Sequence, residues 1–305
     1  MKVLLLIFIL SCSQKKFEVV KGKTMGTTYV AKIKLNKKNV DFKKGIEKIF
    51  HEINAQMSTY LPNSEISKFN KLRSSQPFEI SKDFLFVLNQ SKMIFDQTDG
   101  EFDPSVMPLV NLWGFGPMKK ASIPSQQEIN KTLTFVGFKK LLIGDSKIQK
   151  SHPFLELDLS AVAKGYAIDK VVEFLDLHSN SFLVELGGEV FARGMKDDKL
   201  LTPWVVGIEK PSKDKRQTKE IIELKDECIA TSGDYRNYKN IENHRFSHLI
   251  DLKTGKSKEN DFVSVSIIAP TCLYADALAT ASLVAGKVFE IEKIRSIVIK
   301  KSSLD

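Results

Sequence analysis

Apolar residues recur at Ile46, Ile49, Phe50, Ile53 and Met57, the i, i+3, i+4, i+7 spacing that lines one face of a helix, so residues 42–60 read as an amphipathic helix. A second helix is expected over 81–96, with Ser81 as its N-cap and Asp99-Gly100 turning the chain after it. A short helix follows Pro124 within 123–135, Ser160 caps another that runs to about Leu175, and 274–287 form the last. Elsewhere the period changes to two. Residues 22–35 (GKTMGTTYVAKIKL) alternate small or apolar with polar, as one half-buried strand does, and 140–159 are strand-like. FLVELGGEVFAR, over 182–193, reads strand, Gly187-Gly188 turn, strand. Further strands are expected over 204–208, 220–224, 228–232, 248–251, 262–268 and 297–300. Hairpins outnumber strand–helix–strand units, which gives an α+β class with antiparallel sheets and packed helices.

Ahead of this unit, Met1-Lys2 precede the apolar run 3–10. At ~1.5 Å per residue that run covers about 12 Å of a hydrocarbon core roughly 30 Å thick, so it does not span a membrane. It reads as a signal sequence over 1–11. Ser11-Cys12 resembles a bacterial lipobox, which makes Cys12 a lipidated N-terminus and 12–21 a tether, and places the chain at the periplasmic face of a bacterial membrane. The alternative is a miscalled start or a structural strand, since Leu10 stands where a lipobox has a smaller residue. Lipidation leaves Cys228 and Cys272, with no Cys-x-x-Cys and no paired His, which speaks against zinc and redox motifs. The two read first as buried thiols, with a disulfide as the alternative.

Composition narrows the class further. With 42% hydrophobic residues in 305, the chain buries a large core, which excludes a disordered tail or a disulfide-stapled mini-protein. The 46 Lys+Arg exceed 37 Asp+Glu by nine, but the excess is scattered Lys without Arg-rich runs. It reads as a solvated surface, not a nucleic-acid face. The basic stretch 210–219 reads as an exposed loop.

Several segments carry candidate chemistry. In TCLYADALATAS, Asp276 and Thr280 are four apart on one helical face, and oxygen ligands of this kind suit Mg²⁺; a capping Asp and a back-bonded Thr are the structural alternative. In LDLSAVAKGYAID, Asp158 ends a strand and Lys164-Gly165 stand near a helix start, an anion site or an ordinary turn with a surface Lys. No Walker-type phosphate loop is present. Met25-Gly26-Thr27-Thr28 allows close backbone approach. Residues 99–117 (DGEFDPSVMPLVNLWGFGP) combine acidic residues with Phe102, Trp113 and Phe115, as a lid or a planar-ligand pocket does. His248 and Asp251 in SHLIDLKTG are candidates for acid–base work, although a lone His is often a structural donor.

Taken together, KTMGTTY, MSTYLPNSEISKFN, DGEFDPSVMPLVNLWGFGP, LDLSAVAKGYAIDK, FLVELGGEV, ATSGDYRNY, SHLIDLKTG and VSIIAPTCLYADALATA resemble the ApbE family of FAD:protein FMN transferases, in that family's order and over residues 22 to about 286. The resemblance implies a two-lobed, T-fold-like catalytic unit over 22–305. It implies FAD contacts at Met25, Tyr60, Glu101, Phe102, Asp103, Asp158, Lys164 and Ile250, and Mg²⁺ held by the Ala161 carbonyl, Asp276 and Thr280. Some members carry a further acidic ligand where this chain has Ala279. It also implies transfer of FMN from FAD to a Thr or Ser hydroxyl of an acceptor protein, a membrane electron-transfer subunit, with release of AMP; His248 is read as the base. The alternatives are an FAD pyrophosphatase giving FMN and AMP, and a non-enzymatic FAD-binding lipoprotein. The family's Asp-Pro-x-Thr-Gly-x-Pro stretch reads here DLKTGKS, over 251–257, without either proline, so a less rigid loop is expected.

Overall fold

The computed structural model describes residues 17–303 except 36–39, 119–122, 198, 211–216, 234–237, 242–243 and 259–260. The signal sequence, Cys12 and most of the basic stretch 210–219 therefore lie outside the described residues.

Seven strands form one antiparallel sheet whose spatial order follows chain order: Phe17–Thr24, Thr27–Lys34, Phe182–Leu186, Glu189–Arg193, Glu227–Gly233, Phe262–Ala269 and Arg295–Lys300. Alternation decides which side of this sheet meets which layer. Ala31, Ile33, Phe191, Cys228, Ala230, Val265 and Ile267 face the main core, together with α1 (Phe42–Met57), α3 (Lys82–Gln97), α6 (Ser160–Asp176) and α7 (Cys272–Ala285). Their neighbours Val190, Ala192, Ile229 and Ile268 face the other way, against Trp204, Ile208, Ile222 and Leu224 of a separate ribbon formed by Trp204–Lys210 and Gln217–Leu224. The central strands are thus covered on both faces, which explains why Glu189–Arg193 is apolar at consecutive positions.

The helices keep their expected places. α1 buries Phe42, Ile46, Phe50, Ile53 and Met57, and Ser81 caps α3 by accepting from the Phe84 amide. α5 (Gln126–Leu133) begins in a reciprocal capping box between Ser125 and Glu128. Short pieces escaped the periodicity: α2 (Glu65–Lys71) is seven residues long, and α4 (Met107–Leu112) lies in the 99–117 segment, where its turns are too few for a face to repeat. There Leu109 and Trp113 pack with Ile129, Val136 and Ile250 in a third cluster.

Four expectations change. Residues 22–35 are not one strand: Met25 (φ 48°) and Gly26 (φ 75°) form a two-residue turn between strands paired from Phe17↔Lys34 to Thr24↔Thr27. This left-handed pair gives the primed turn that suits the twist of a hairpin, and the first strand claims residues assigned to the tether. Within 140–159 the strands are only Leu141–Ile143 and Lys147–Lys150. Ser160 does not cap α6; Asp158, two residues earlier, accepts from the Ser160 amide at 2.8 Å, because its carboxylate reaches the free helix amides first.

The fourth correction concerns the cysteines. Cys228, on the helix-facing side of its strand, is disulfide-bonded to Cys272, the first residue of α7, with Cα atoms 5.1 Å apart. The two residues are 44 apart in sequence, and no local pattern signals that packing brings them together. Closing a loop of that size stabilises the folded chain by about 4 kcal/mol in the chain-entropy picture. Replacing both cysteines with Ala is expected to lower the unfolding free energy by about 2–4 kcal/mol, read as a fall in the urea midpoint. An unchanged midpoint would show that the bond contributes nothing to the fold.

Candidate active site

A cleft of about 1730 Å³ runs between the sheet, the 99–117 segment and the 248–252 segment. It exceeds the roughly 300–1,000 Å³ of common small-molecule pockets and suits a dinucleotide. Tyr60, Glu101, Phe102, Asp103, Asp158, Ala161, Lys164, His248, Ile250, Asp276 and Thr280 all line it. Of the expected site residues described by the structure, Asp251, which accepts from the Lys253 amide in its own turn, and Trp113, which donates to Gly255 O, do not, and neither does Met25. It sits in the hairpin turn packed on the main core, and the cleft is lined instead by Thr27 and Thr28 just after it.

The inner end is built by α6 and α7. Asp276 is 4% exposed, and Thr280 follows one turn later. Thr280 Oγ1 lies 3.0 Å from Ser232 Oγ, which ties the helix to the sheet. Asp276 Oδ2 accepts from the Gly165 amide at 3.2 Å, the donor that an α-helix would direct at the Ala161 carbonyl. Ala161 and Asp276 thus face one another across the two helices. The Lys164 ammonium stands between Glu189 Oε1 (2.7 Å) and Asp276 Oδ2 (3.5 Å). Burial works against the charge of Lys164, but the carboxylates of Asp276 and Glu189 outweigh it and raise its pKa above that of an ordinary lysine. Burial pushes the Asp276 carboxyl up, against the pull of Lys164.

The start of α7 is fixed independently. Asp169 of α6 accepts from the amides of Cys272 (2.7 Å) and Leu273 (2.9 Å), an anion placed on the positive end of a helix. Burial pushes its carboxyl up to about 7 despite these two bonds.

Asp158 joins three parts of the cleft. Its amide donates to Pro104 O at 2.7 Å, its carboxylate receives Ser160, and it is close enough to His248 for that residue's charge to lower its pKa. Burial is the larger effect on Asp158 and acts upward. The His248 ring meets Phe115 edge-on, with centroids 6.3 Å apart. Tyr60 stands 69% exposed at the rim, where its partial burial and the Asp158 charge raise its pKa.

The remaining carboxylates hold the frame. Asp103 accepts from the Ser105 amide (2.7 Å), Ser105 Oγ (2.6 Å) and the Phe138 amide (3.0 Å), so it shapes the 99–117 segment from within. Glu101 pairs with Lys253 (2.7 Å) and Lys258 (3.6 Å) across the loop that lacks its prolines. That loop is also held by an Asp251–Lys253 turn bond, by pairing of Ile250 with Ser257, and by Trp113 Nε1 donating to Gly255 O at 2.9 Å. These contacts take over part of the restraint that proline would give. Thr231, Ser232, Gly187, Gly188 and Glu189 also line the cleft and were not singled out as site residues. FLVELGGEV carried the one visible signal, a Glu directly after a Gly-Gly turn and ahead of three apolar residues, Val190, Phe191 and Ala192.

Among the described residues, no group of three or more His, Cys, Asp and Glu is arranged to hold a metal. The inner end offers a sparser, all-oxygen set, with Asp276, Thr280 and the Ala161 carbonyl. Beside it, one buried oxygen of Glu189 has no hydrogen-bond partner among the described residues. Glu189 and Asp276 against Lys164 leave one net negative charge. Hard oxygen donors, one uncompensated charge and room for retained waters fit Mg²⁺.

The ApbE family model matches residues 25–298. An FAD:protein FMN transferase of Vibrio cholerae serotype O1 is 40% identical over 288 residues, which are 92% of this chain and 86% of that protein. The FAD:protein FMN transferase of Escherichia coli K12 is 36% identical over 310 residues, 95% of this chain and 87% of that one. The solved flavin transferase ApbE from Vibrio cholerae superposes with a TM-score of 0.84 at 36% identity, covering 95% of this chain and 98% of its own.

Proposed function

The chain belongs to the ApbE family, and from that membership we propose that it moves FMN from FAD onto a hydroxyl of an acceptor protein, in a cleft that binds Mg²⁺ at its inner end. One observation carries the reading at residue level. One dinucleotide-sized cleft is lined by Asp276, Thr280 and Lys164 together with Asp158 and His248.

The acceptor's Thr or Ser oxygen attacks the FMN-side phosphorus of FAD. A phosphoester forms, the bond from that phosphorus to the bridging oxygen breaks, and AMP leaves. The proton of the attacking hydroxyl passes to His248, and the nearby Asp158 carboxylate favours the imidazolium that results. Lys164, kept charged by its two carboxylates, faces the anionic diphosphate from the inner end. Asp276, Thr280 and the Ala161 carbonyl would hold Mg²⁺, which when bound neutralises charge on the diphosphate. Glu101, with Lys253 and Lys258, keeps the 99–117 and 248–258 segments together beside the cleft.

The same reading puts a lipid on Cys12 and the catalytic unit at the periplasmic face of a membrane, next to an acceptor that is a membrane electron-transfer subunit. A Cys228–Cys272 disulfide supports an oxidising compartment. The test is one incubation of purified protein with FAD, Mg²⁺ and a flavin-acceptor domain. An acceptor heavier by one FMN moiety, equimolar AMP and loss of both in EDTA are expected. AMP without a modified acceptor would make the protein a pyrophosphatase, intact FAD would make it a binder, and full transfer in EDTA would end the metal reading.

A further inference from the structure

The reaction uses one carboxylate at the inner end of the cleft, Asp276, and leaves a second without a task. Glu189 is 4% exposed and lines the same cleft. Its Oε1 lies 2.7 Å from Lys164 Nζ, and its buried Oε2 has no hydrogen-bond partner among the described residues. A carboxylate oxygen stripped of water and left without a donor is costly, and such groups in native folds usually point to a ligand or a bound water.

The geometry around Lys164 shows what the second carboxylate does. The ammonium is shared unequally, 2.7 Å from Glu189 and 3.5 Å from Asp276. A cation already in contact with Asp276 competes with any divalent ion for that ligand. Glu189 draws the ammonium to its own side, and Lys164, Glu189 and Asp276 together keep one net negative charge. Without the charge of Glu189, Lys164 has Asp276 as its one carboxylate partner among the described residues and the net charge falls to zero. Both changes oppose a divalent cation.

We infer that Glu189 is a positioning residue for the divalent-cation site: it holds the Lys164 ammonium off Asp276 and turns its free Oε2 toward a proton donor of the occupied site, such as a water on the cation. The inference rests on the Mg²⁺ reading given above. Outer carboxylates that orient a metal's surroundings typically change affinity 10–100-fold when lost.

The experiment is calorimetric titration of the full chain with Mg²⁺ alone, for the unaltered protein, Glu189→Gln, Lys164→Met and the double variant, each checked for folding by its melting curve in EDTA. Glu189→Gln is expected to bind Mg²⁺ about 10–100-fold more weakly, and Lys164→Met at least as tightly as the unaltered protein. In the Lys164→Met background the loss caused by Glu189→Gln should shrink at least about threefold, because no ammonium remains to be held. Equal affinity of Glu189→Gln and the unaltered protein would overturn the inference. An undiminished loss in the Lys164→Met background would also overturn it, since Glu189 would then act by its charge alone. Should Glu189→Gln fail to melt cooperatively, the comparison of Lys164→Met with the double variant still decides, because a loss above about 30-fold between them contradicts action through Lys164. No Mg²⁺ binding by the unaltered protein would defeat the metal reading itself, and this inference with it.

Discussion

His248→Ala is expected to slow FMN transfer by about 10²–10⁴-fold, the usual contribution of a positioned general base, while FAD still binds. The separation of these two effects follows from where the residue sits. His248 lines the cleft near Asp158, on a segment separate from α6 and α7, the helices that carry the Lys164–Asp276 pair. Removing the imidazole leaves the inner end intact and takes away the acceptor of the hydroxyl proton. The measurement is single-turnover transfer to the acceptor, set beside FAD affinity from the quenching of flavin fluorescence. A variant that transfers at the unaltered rate would remove His248 from the chemistry. A variant that loses FAD binding in proportion to its rate would make it a binding residue.

How much of this site could be read from the chain depends on the distance over which each residue acts. Asp276 and Thr280 declared themselves because a helix repeats every 3.6 residues and both fall on one face. The hairpin over 182–193 was legible because its turn and its flanking alternation are local. Ala161 opposite Asp276, Glu189 against Lys164 and Cys228 against Cys272 were not legible as contacts. Each joins residues at least 25 apart, as the 25 positions between Lys164 and Glu189 and the 44 between the cysteines show. Glu189 was hidden for a further reason: a Glu on a strand reads as a solvent-facing position, and only the sheet's double covering buries it. Gly165 read as part of an anion site and gave no signal of its contact with α7, because a glycine inside a helical pattern usually marks weakness, and here it marks close approach.

Gly165→Ala is therefore expected to damage the protein twice over, although the same change in an exposed helix would stabilise by about 1 kcal/mol. A Cβ at this position would lie 2.3 Å from Cys272 O, 2.5 Å from Cys272 C and 2.7 Å from Leu273 N, distances below any that real Cβ atoms keep. All three atoms are backbone, so no side chain can turn away. Nor can the start of α7 slide, because Asp169 holds the Cys272 and Leu273 amides and the disulfide holds Cys272 to the sheet. The two helices must separate. Overpacking of this kind costs about 1–3 kcal/mol, which exceeds the gain in helix propensity. Separation also breaks the 3.2 Å bond from the Gly165 amide to Asp276 and draws Ala161 on α6 away from Asp276 on α7. The expected result is a lower urea midpoint together with a loss of Mg²⁺-dependent transfer of at least about tenfold, in line with the effect of disturbing a metal's supporting shell. Asp276→Ala gives the reference, with transfer lost while the melting curve in EDTA stays near that of the unaltered protein. If Gly165→Ala kept both its midpoint and its transfer rate, the close approach of α6 and α7 would not be what holds Asp276 in place.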